Sequence, residues 1–241
     1  MKQKQIGFEF EIGSPWGMRK TRDKMSTALN IPGLKTQVDM TVETLAKHNG
    51  EIVTPIWPLA KGLSNLKRIF KWFEKNEIVT DNTCGFHVNI SFKNQALNWM
   101  IDPTTLVLCF NEEKWLKVCK RHGNEYADCH IDELIVNKPR RPFMNEDKAL
   151  KWIEKKIEEN FHEKYHSVNI EHLELDNPYV EYRCLGGVGY HLRLGVMAKA
   201  IMEMAKNLDR ALPDAKGTGF KTTKVRQCFV KNEKEISFVP H

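Results

Sequence analysis

Three short runs in this sequence alternate between apolar and polar residues, and that alternation commits the chain to a fold built on a sheet. They are GFEFEIG at Gly7 to Gly13, CGFHVNIS at Cys84 to Ser91 and VEYRC at Val180 to Cys184. Successive side chains of a strand point to opposite faces. Phe8, Phe10 and Ile12 therefore share one side of the first run, with Glu9 and Glu11 on the other. In the second, Phe86, Val88 and Ile90 lie opposite His87, Asn89 and Ser91; in the third, Glu181 and Arg183 face away from Val180 and Tyr182. Brought together in one sheet, the polar faces would line a cleft with carboxylates, an imidazole and a guanidinium. That is the donor inventory of a magnesium–nucleotide site.

A chain of 241 residues is long enough to bury a full core as one domain. Its 41% apolar and 28% charged residues exclude a wholly disordered or fibrous chain. The first residues lead straight into a strand pattern, and no later stretch is apolar for long enough to span a bilayer, so a soluble, cytoplasmic protein is expected. The six cysteines include no CxxC pair and sit mostly in apolar runs, as reduced core cysteines do. The net charge of +6 is spread along the chain, densest at Lys138, Arg140 and Arg141 and again between Lys216 and Lys234. Alone it does not separate a solvated surface from a phosphate or polyanion contact.

The pattern predicts strands over Gln5–Ile12, Lys35–Val42, Glu51–Thr54, His87–Phe92, His166–Ile170 and Tyr179–Cys184, with two more in the tail at Arg226–Val230 and Ile236–Val239. Leu59, Leu63, Leu66, Ile69, Phe70 and Phe73 form a stripe that predicts a helix over Leu59–Lys75. Asp102-Pro103 starts a helix expected to run through Lys120, and Asn145 another with Leu150, Ile153, Ile157 and Phe161 on one face. The longest helix is predicted over Tyr190–Leu212. Helices and strands interleave without regular βαβ alternation, which favours an α+β domain with a largely antiparallel sheet. There is no GxGxxG or GxxxxGK[ST] loop, so a bound nucleotide would need another phosphate-holding device.

Each polar constellation has a plainer reading. Glu9 and Glu11 could face solvent, yet like charges about 4 Å apart repel by about 4 kcal/mol at an effective dielectric near 20, a cost a divalent cation removes. Glu51 follows an Asn-Gly turn and could simply be solvated; Asp39 is a weaker candidate of the same kind. His87 could be a hydrogen-bonded structural histidine, and Glu181 with Arg183 a surface ion pair of little worth. His162-Glu163-Lys164-Tyr165-His166 matches the zinc-hydrolase pattern HExxH, which needs both histidines on one helix face. Cys119, His122, Cys129 and His130 fit no common zinc module. A Cys84–His87 nucleophile pair would require the Gly85 turn to redirect the chain, since positions three apart on a strand face opposite ways.

Taken in chain order, GFEFE, GEIVTP, CGFHVNI, YHSVN and VEYR resemble the motif series of the amidoligase family. These are carboxylate–amine ligases similar to glutamine synthetase and glutamate–cysteine ligase, frequent in phage and bacterial gene clusters. The resemblance spans Gly7 to Arg183. It implies a glutamine-synthetase-like catalytic domain over residues 1–212, a curved, mostly antiparallel sheet with helices packed on one side, followed by a basic tail over 213–241 that matches no pattern. It also implies ATP with Mg2+ or Mn2+ as cofactors, held by Glu9, Glu11, Glu51, His87 and Glu181. Arg183 would contact the transferred phosphate, with Glu9, Glu181 and Arg183 forming the catalytic set. Arg140, Arg141 and Asn89 complete the nucleotide-binding candidates; Asn89 stands where the family often has a second histidine. The expected partners are a small-molecule or peptide carboxylate and an amine, with no membrane, and the chain is compatible with a homo-oligomer. The competing readings are a zinc-dependent hydrolase using His162, Glu163 and His166, and a non-catalytic polyanion-binding protein.

Overall fold

A computed structural model describes residues 2–37, 41–123, 127–139, 143, 145–163, 165–213, 225 and 229. Its elements run β1 (Lys4–Ser14), α1 (Met18–Leu29), β2 (Lys35–Gln37), β3 (His48–Val53), β4 (Trp57–Pro58), α2 (Leu59–Lys75), β5 (Gly85–Phe92) and α3 (Gln95–Asn98). Then come α4 (Pro103–Cys109), α5 (Glu112–Cys119), α6 (His130–Val136), α7 (Glu146–Glu159), β6 (Val168–Asn169), β7 (Val180–Gly186) and α8 (Leu194–Arg210), with 3-10 turns at Glu171–Glu174 and Tyr190–Leu192. The class is α+β, as expected, and the seven strands form one curved antiparallel sheet.

The strand order is β2-β3-β1-β5-β7-β6, with β4 pairing the start of β1. β1 is central because its alternating pattern is the longest. Its apolar residues Ile6, Phe8, Phe10 and Ile12 are fully buried, as are Phe86, Val88 and Ile90 of β5 and Tyr182 and Cys184 of β7. Phe10 and Phe86 are direct cross-strand partners, their rings parallel at 5.2 Å, and Tyr190 stacks on the other side of Phe86 at 5.5 Å. Leu66, Ile69, Phe70 and Phe73 of α2 and Met197, Ile201, Met204 and Leu208 of α8 are buried in the same core. Removing each such side chain from water contributes on the order of 1.5–3 kcal/mol, so this layer fixes which sheet face points inward and leaves the other for polar residues.

The helix of residues 59–75 falls as the stripe predicts, and Asn145 caps α7 by accepting a bond from the Lys148 amide at 3.0 Å. The single helix expected from Pro103 through Lys120 is instead two. Phe110 is extended (φ −94°, ψ 137°), and Asn111 starts a new helix by accepting from the Lys114 amide at 3.1 Å. The last helix is shorter than Tyr190–Leu212, since residues 190–192 form a 3-10 turn before α8. The strand expected over His166–Ile170 reduces to Val168–Asn169. Of the expected Lys35–Val42 strand, residues 35–37 are β2; residues 38–40 and the two tail strands lie outside the described residues. Cys84, Cys109, Cys119, Cys129 and Cys184 are buried and, among the described residues, form no disulfide. Among the described residues no helix is long and apolar enough to cross a membrane.

Candidate active site

The polar sheet face gathers residues from five strands by register. Glu11 lies opposite Glu51, Glu9 opposite His87, and Glu181 pairs with both Asn89 and Asn169. A bulge between Phe86 and Val88 on the β5–β7 side leaves Arg183 and Cys184 together opposite His87. Glu9, Gln37, Glu51, His87, Asn169, Tyr179, Glu181 and Arg183 line one cleft of about 420 Å³, with Glu171 and His172 of the 3-10 turn on its rim. Glu11 lies at its buried edge, 4% exposed, its carboxylate accepting a short hydrogen bond from the Gly85 amide.

His87 is the centre of this arrangement. Its Nδ1 lies 3.2 Å from Glu181 Oε1 and 3.5 Å from Glu9 Oε2, and its Nε2 lies 3.2 Å from Glu11 Oε1. These are ion-pair distances, yet the angles make neither ring nitrogen a hydrogen-bond partner of any group, although both are fully buried. Within 3.5 Å of three carboxylates, the buried imidazole is held by charge rather than by well-aligned hydrogen bonds.

Electrostatics divide the acids into two groups. Burial and the charge of Glu9 push Glu51 up to about 8, so it carries a proton at neutral pH. Burial raises Glu9 and Glu181 too, but in both it is outweighed. Glu9 falls below its usual value because His87 lies beside it, and Glu181 falls well below because His172, His87 and the charge of Arg183 surround it. Burial and Arg183 oppose the charging of His87, but Glu11, Glu181 and Glu9 overcome them and raise it to about 9. A protonated imidazole and a protonated Glu51 are thus what the chain itself supplies to hold its acids together.

The donor set fits a hard divalent cation: several carboxylate oxygens, one imidazole, and few competing hydrogen bonds at His87. Among the described residues, Glu9, Glu51 and His87 form the group whose ligand atoms all lie within 4.8 Å of one another. Glu11 and Glu181 stand one contact further out, each touching His87. Arg183 Nη1 donates to Glu181 Oε1 at 2.9 Å, and Asn169 Nδ2 to Glu181 Oε2 at 2.8 Å. Asn89 is occupied by Glu9, its Nδ2 donating to Oε1 at 2.6 Å, while its Oδ1 is buried without a partner. Arg140, Arg141 and Asp39 lie outside the described residues.

Residues that sequence reasoning left without a role are Gln37, Asn169, His172 and Tyr179. Asn169 could have been found, because Ser167-Val168-Asn169-Ile170 carries the same alternation as the three leading runs. His172 and Tyr179, whose rings stack at 4.4 Å, leave no such trace, since they come from a 3-10 turn and the loop after it.

The competing constellations come apart. Helix α7 ends at Glu159, so HEKYH is not helical and its histidines share no helix face; His162 and Glu163 are exposed. His166 instead turns inward, its Nε2 2.6 Å from Glu133 Oε2 and its ring stacked on His130 at 3.8 Å. That corrects the zinc-hydrolase expectation for His162, Glu163 and His166. His122 pairs on the surface with Asp132 at 3.4 Å while Cys119 and Cys129 are buried, and among the described residues these side chains form no group at metal-ligand spacing. Burial also pushes the Cys84 thiol up to about 12, and its sulfur contacts Asp81 at 3.7 Å, so it is no nucleophile for His87.

The site is thus an antiparallel sheet with one apolar face under helices and one acidic face around a buried histidine and an arginine. The family model described as "Putative amidoligase enzyme" matches residues 17–188, and the chain belongs to that family of ligase-type enzymes. The match contains Glu51, His87, Asn89, Glu181 and Arg183 and begins after β1, which carries Glu9 and Glu11. No curated protein matches the chain.

Proposed function

We propose that the chain is an ATP-dependent carboxylate–amine ligase with a glutamine-synthetase-like catalytic domain, joining a small-molecule or peptide carboxylate to an amine in the cleft around His87. The observation that carries this reading is the buried imidazole within 3.5 Å of Glu9, Glu11 and Glu181, its ligand atom grouped with those of Glu9 and Glu51 within 4.8 Å of one another. Glu9, Glu51 and His87 would hold one Mg2+ or Mn2+, with Glu11 and Glu181 available to a second. Bound there, the cations supply charge neutralisation for the phosphates of ATP.

The reaction balances as follows. A carboxylate oxygen of the substrate attacks the γ-phosphorus, the bond to the bridging oxygen breaks, and ADP leaves with that electron pair. The acyl phosphate formed is then attacked at carbon by the amine nitrogen; the C–O bond breaks, inorganic phosphate leaves and the nitrogen loses a proton. Arg183 lies on the cleft wall, its Nη1 donating to Glu181, where its positive charge would offset that of the transferred phosphoryl group. Asn169 and Asn89 hold Glu181 and Glu9 in place, so the carboxylates need not reorganise as charge shifts.

The test is phosphate release from ATP and Mg2+ with pools of amino acids, peptides and other amines. Arg183→Ala should lower turnover by about 10³–10⁵-fold, the range for a positioned arginine in phosphoryl transfer, and leave the melting temperature within a few degrees. Glu9→Gln should do likewise through lost cation binding. Equal phosphate release from wild type and Glu9→Gln would remove the ligase reading.

A further inference from the structure

Behind the acidic face lies a buried arginine outside the cleft lining. Arg121 follows α5, is only 2% exposed, and its Nη1 donates to the carbonyl of Cys84 at 2.8 Å. The same peptide unit points its other end into the site, where the Gly85 N–H donates to the Glu11 carboxylate. The Gly187 amide also donates to the Cys84 carbonyl, at 2.8 Å. One peptide plane is therefore held on its carbonyl side by Arg121 and Gly187 and presented on its amide side to Glu11.

The sequence makes room for this contact. Gly186, paired with Gly85 across β5 and β7, has φ +130°, and a Cβ there would lie 2.6 Å from Arg121 Nη1. A Cβ at Gly85 would meet both Glu11 oxygens and His87 Nε2. The Nε of Arg121 is buried without an acceptor, so the side chain is placed for this contact at the expense of its own hydrogen bonding. A guanidinium stays charged in a protein, and a buried charge persists only where an opposite charge answers it. The carboxylate whose field acts on Arg121 is Glu11.

We propose that Arg121 is a positioning residue for the cation site: through the Cys84–Gly85 peptide it orients and polarises the N–H that fixes Glu11, and its charge offsets that carboxylate from behind. This rests on the cleft being a divalent-cation site. Arg193 provides the comparison, since its guanidinium binds the Val118 and Gly186 carbonyls at the same turn without reaching the Cys84–Gly85 peptide.

The experiment measures Mn2+ affinity by electron paramagnetic resonance of the free ion, alongside melting temperature, for the full chain and for Arg121→Met, Arg121→Lys and Arg193→Met. Removing an outer-shell partner of a metal ligand typically costs about 10–100-fold in affinity, and that loss is expected for Arg121→Met, with Arg121→Lys between it and wild type. Arg193→Met should melt lower yet bind Mn2+ within about 3-fold of wild type. Wild-type affinity in Arg121→Met, or an equal loss in Arg193→Met, overturns the proposal. If Arg121→Met does not fold, Arg121→Lys decides: weakening of about 3-fold or more supports the role, and wild-type affinity rejects it. A wild-type chain that binds no Mn2+ removes the cation-site reading itself, a result distinct from a variant that binds normally.

Discussion

A single methyl group at Gly85 would lie 2.5 Å from His87 Nε2 and within 3.0 Å of both Glu11 oxygens. Unlike the left-handed glycines of the turns, this one is required by space alone. Gly85→Ala should force the imidazole and the carboxylate apart, with a stability loss of about 1–3 kcal/mol, as in other overpacked sites, and weaker Mn2+ binding. Titration of Mn2+ into the variant checks this; unchanged affinity would mean that His87 and Glu11 are free to move. At this scale the sequence was most readable where chemistry and strand period coincide. Glu9, Glu11, His87, Glu181 and Arg183 announce themselves by alternating with apolar neighbours. Arg121 does not, because it sits in a polar stretch after a helix and acquires its meaning from Cys84, a residue far back in the chain.

Among the elements, α2 sets how closely the helical layer approaches the sheet. Gly62 faces β1, and a Cβ there would collide with the Ile6 side chain. Gly62→Ala should therefore destabilise the fold although alanine is the better helix former by about 1 kcal/mol, because overpacking costs about 1–3 kcal/mol. A fall of a few degrees in melting temperature is expected, and a rise would show that α2 can shift outward without loss. Element boundaries were legible where one physical signal dominates. The apolar stripe over Leu59–Lys75 gave both ends of α2. Between Pro103 and Lys120 the apolar pattern continues unbroken, and only the Asn111 cap followed by Glu112 and Glu113 marks the break. Helix α1 buries just Thr21, Met25 and Leu29, too narrow a stripe to be seen.

For the molecule as a whole, the acidic cleft couples protons to stability, and would couple both to the cation binding proposed above. The surrounding carboxylates raise His87 to about 9 against about 6.5 in an unfolded chain, and burial with the charge of Glu9 raises Glu51 to about 8 against its ordinary 4.5. Both folded values are raised, so each contribution is fully present below the unfolded value and is lost as pH rises, for His87 between about 6.5 and 9 and for Glu51 between about 4.5 and 8. Cation binding requires the same protons to leave, so it should release protons at pH 7 and tighten toward pH 9. Urea unfolding with chelator and with Mg2+ at pH 6.5 and 9 checks this. The stabilisation by Mg2+ should be larger at pH 9, and equal stabilisation at both would contradict the pairing described for the cleft.

The strands that carry Glu9, Glu51, His87 and Glu181 are widely separated in sequence, with Glu9 in the first strand and Glu181 in β7. While the chain is still unfolded these carboxylates are far apart and hydrated, so their mutual repulsion is felt only as the sheet closes. A cation that recognises the finished cluster would arrive after the folding barrier has been crossed. It would therefore lengthen the lifetime of the native state far more than it hastens the state's formation.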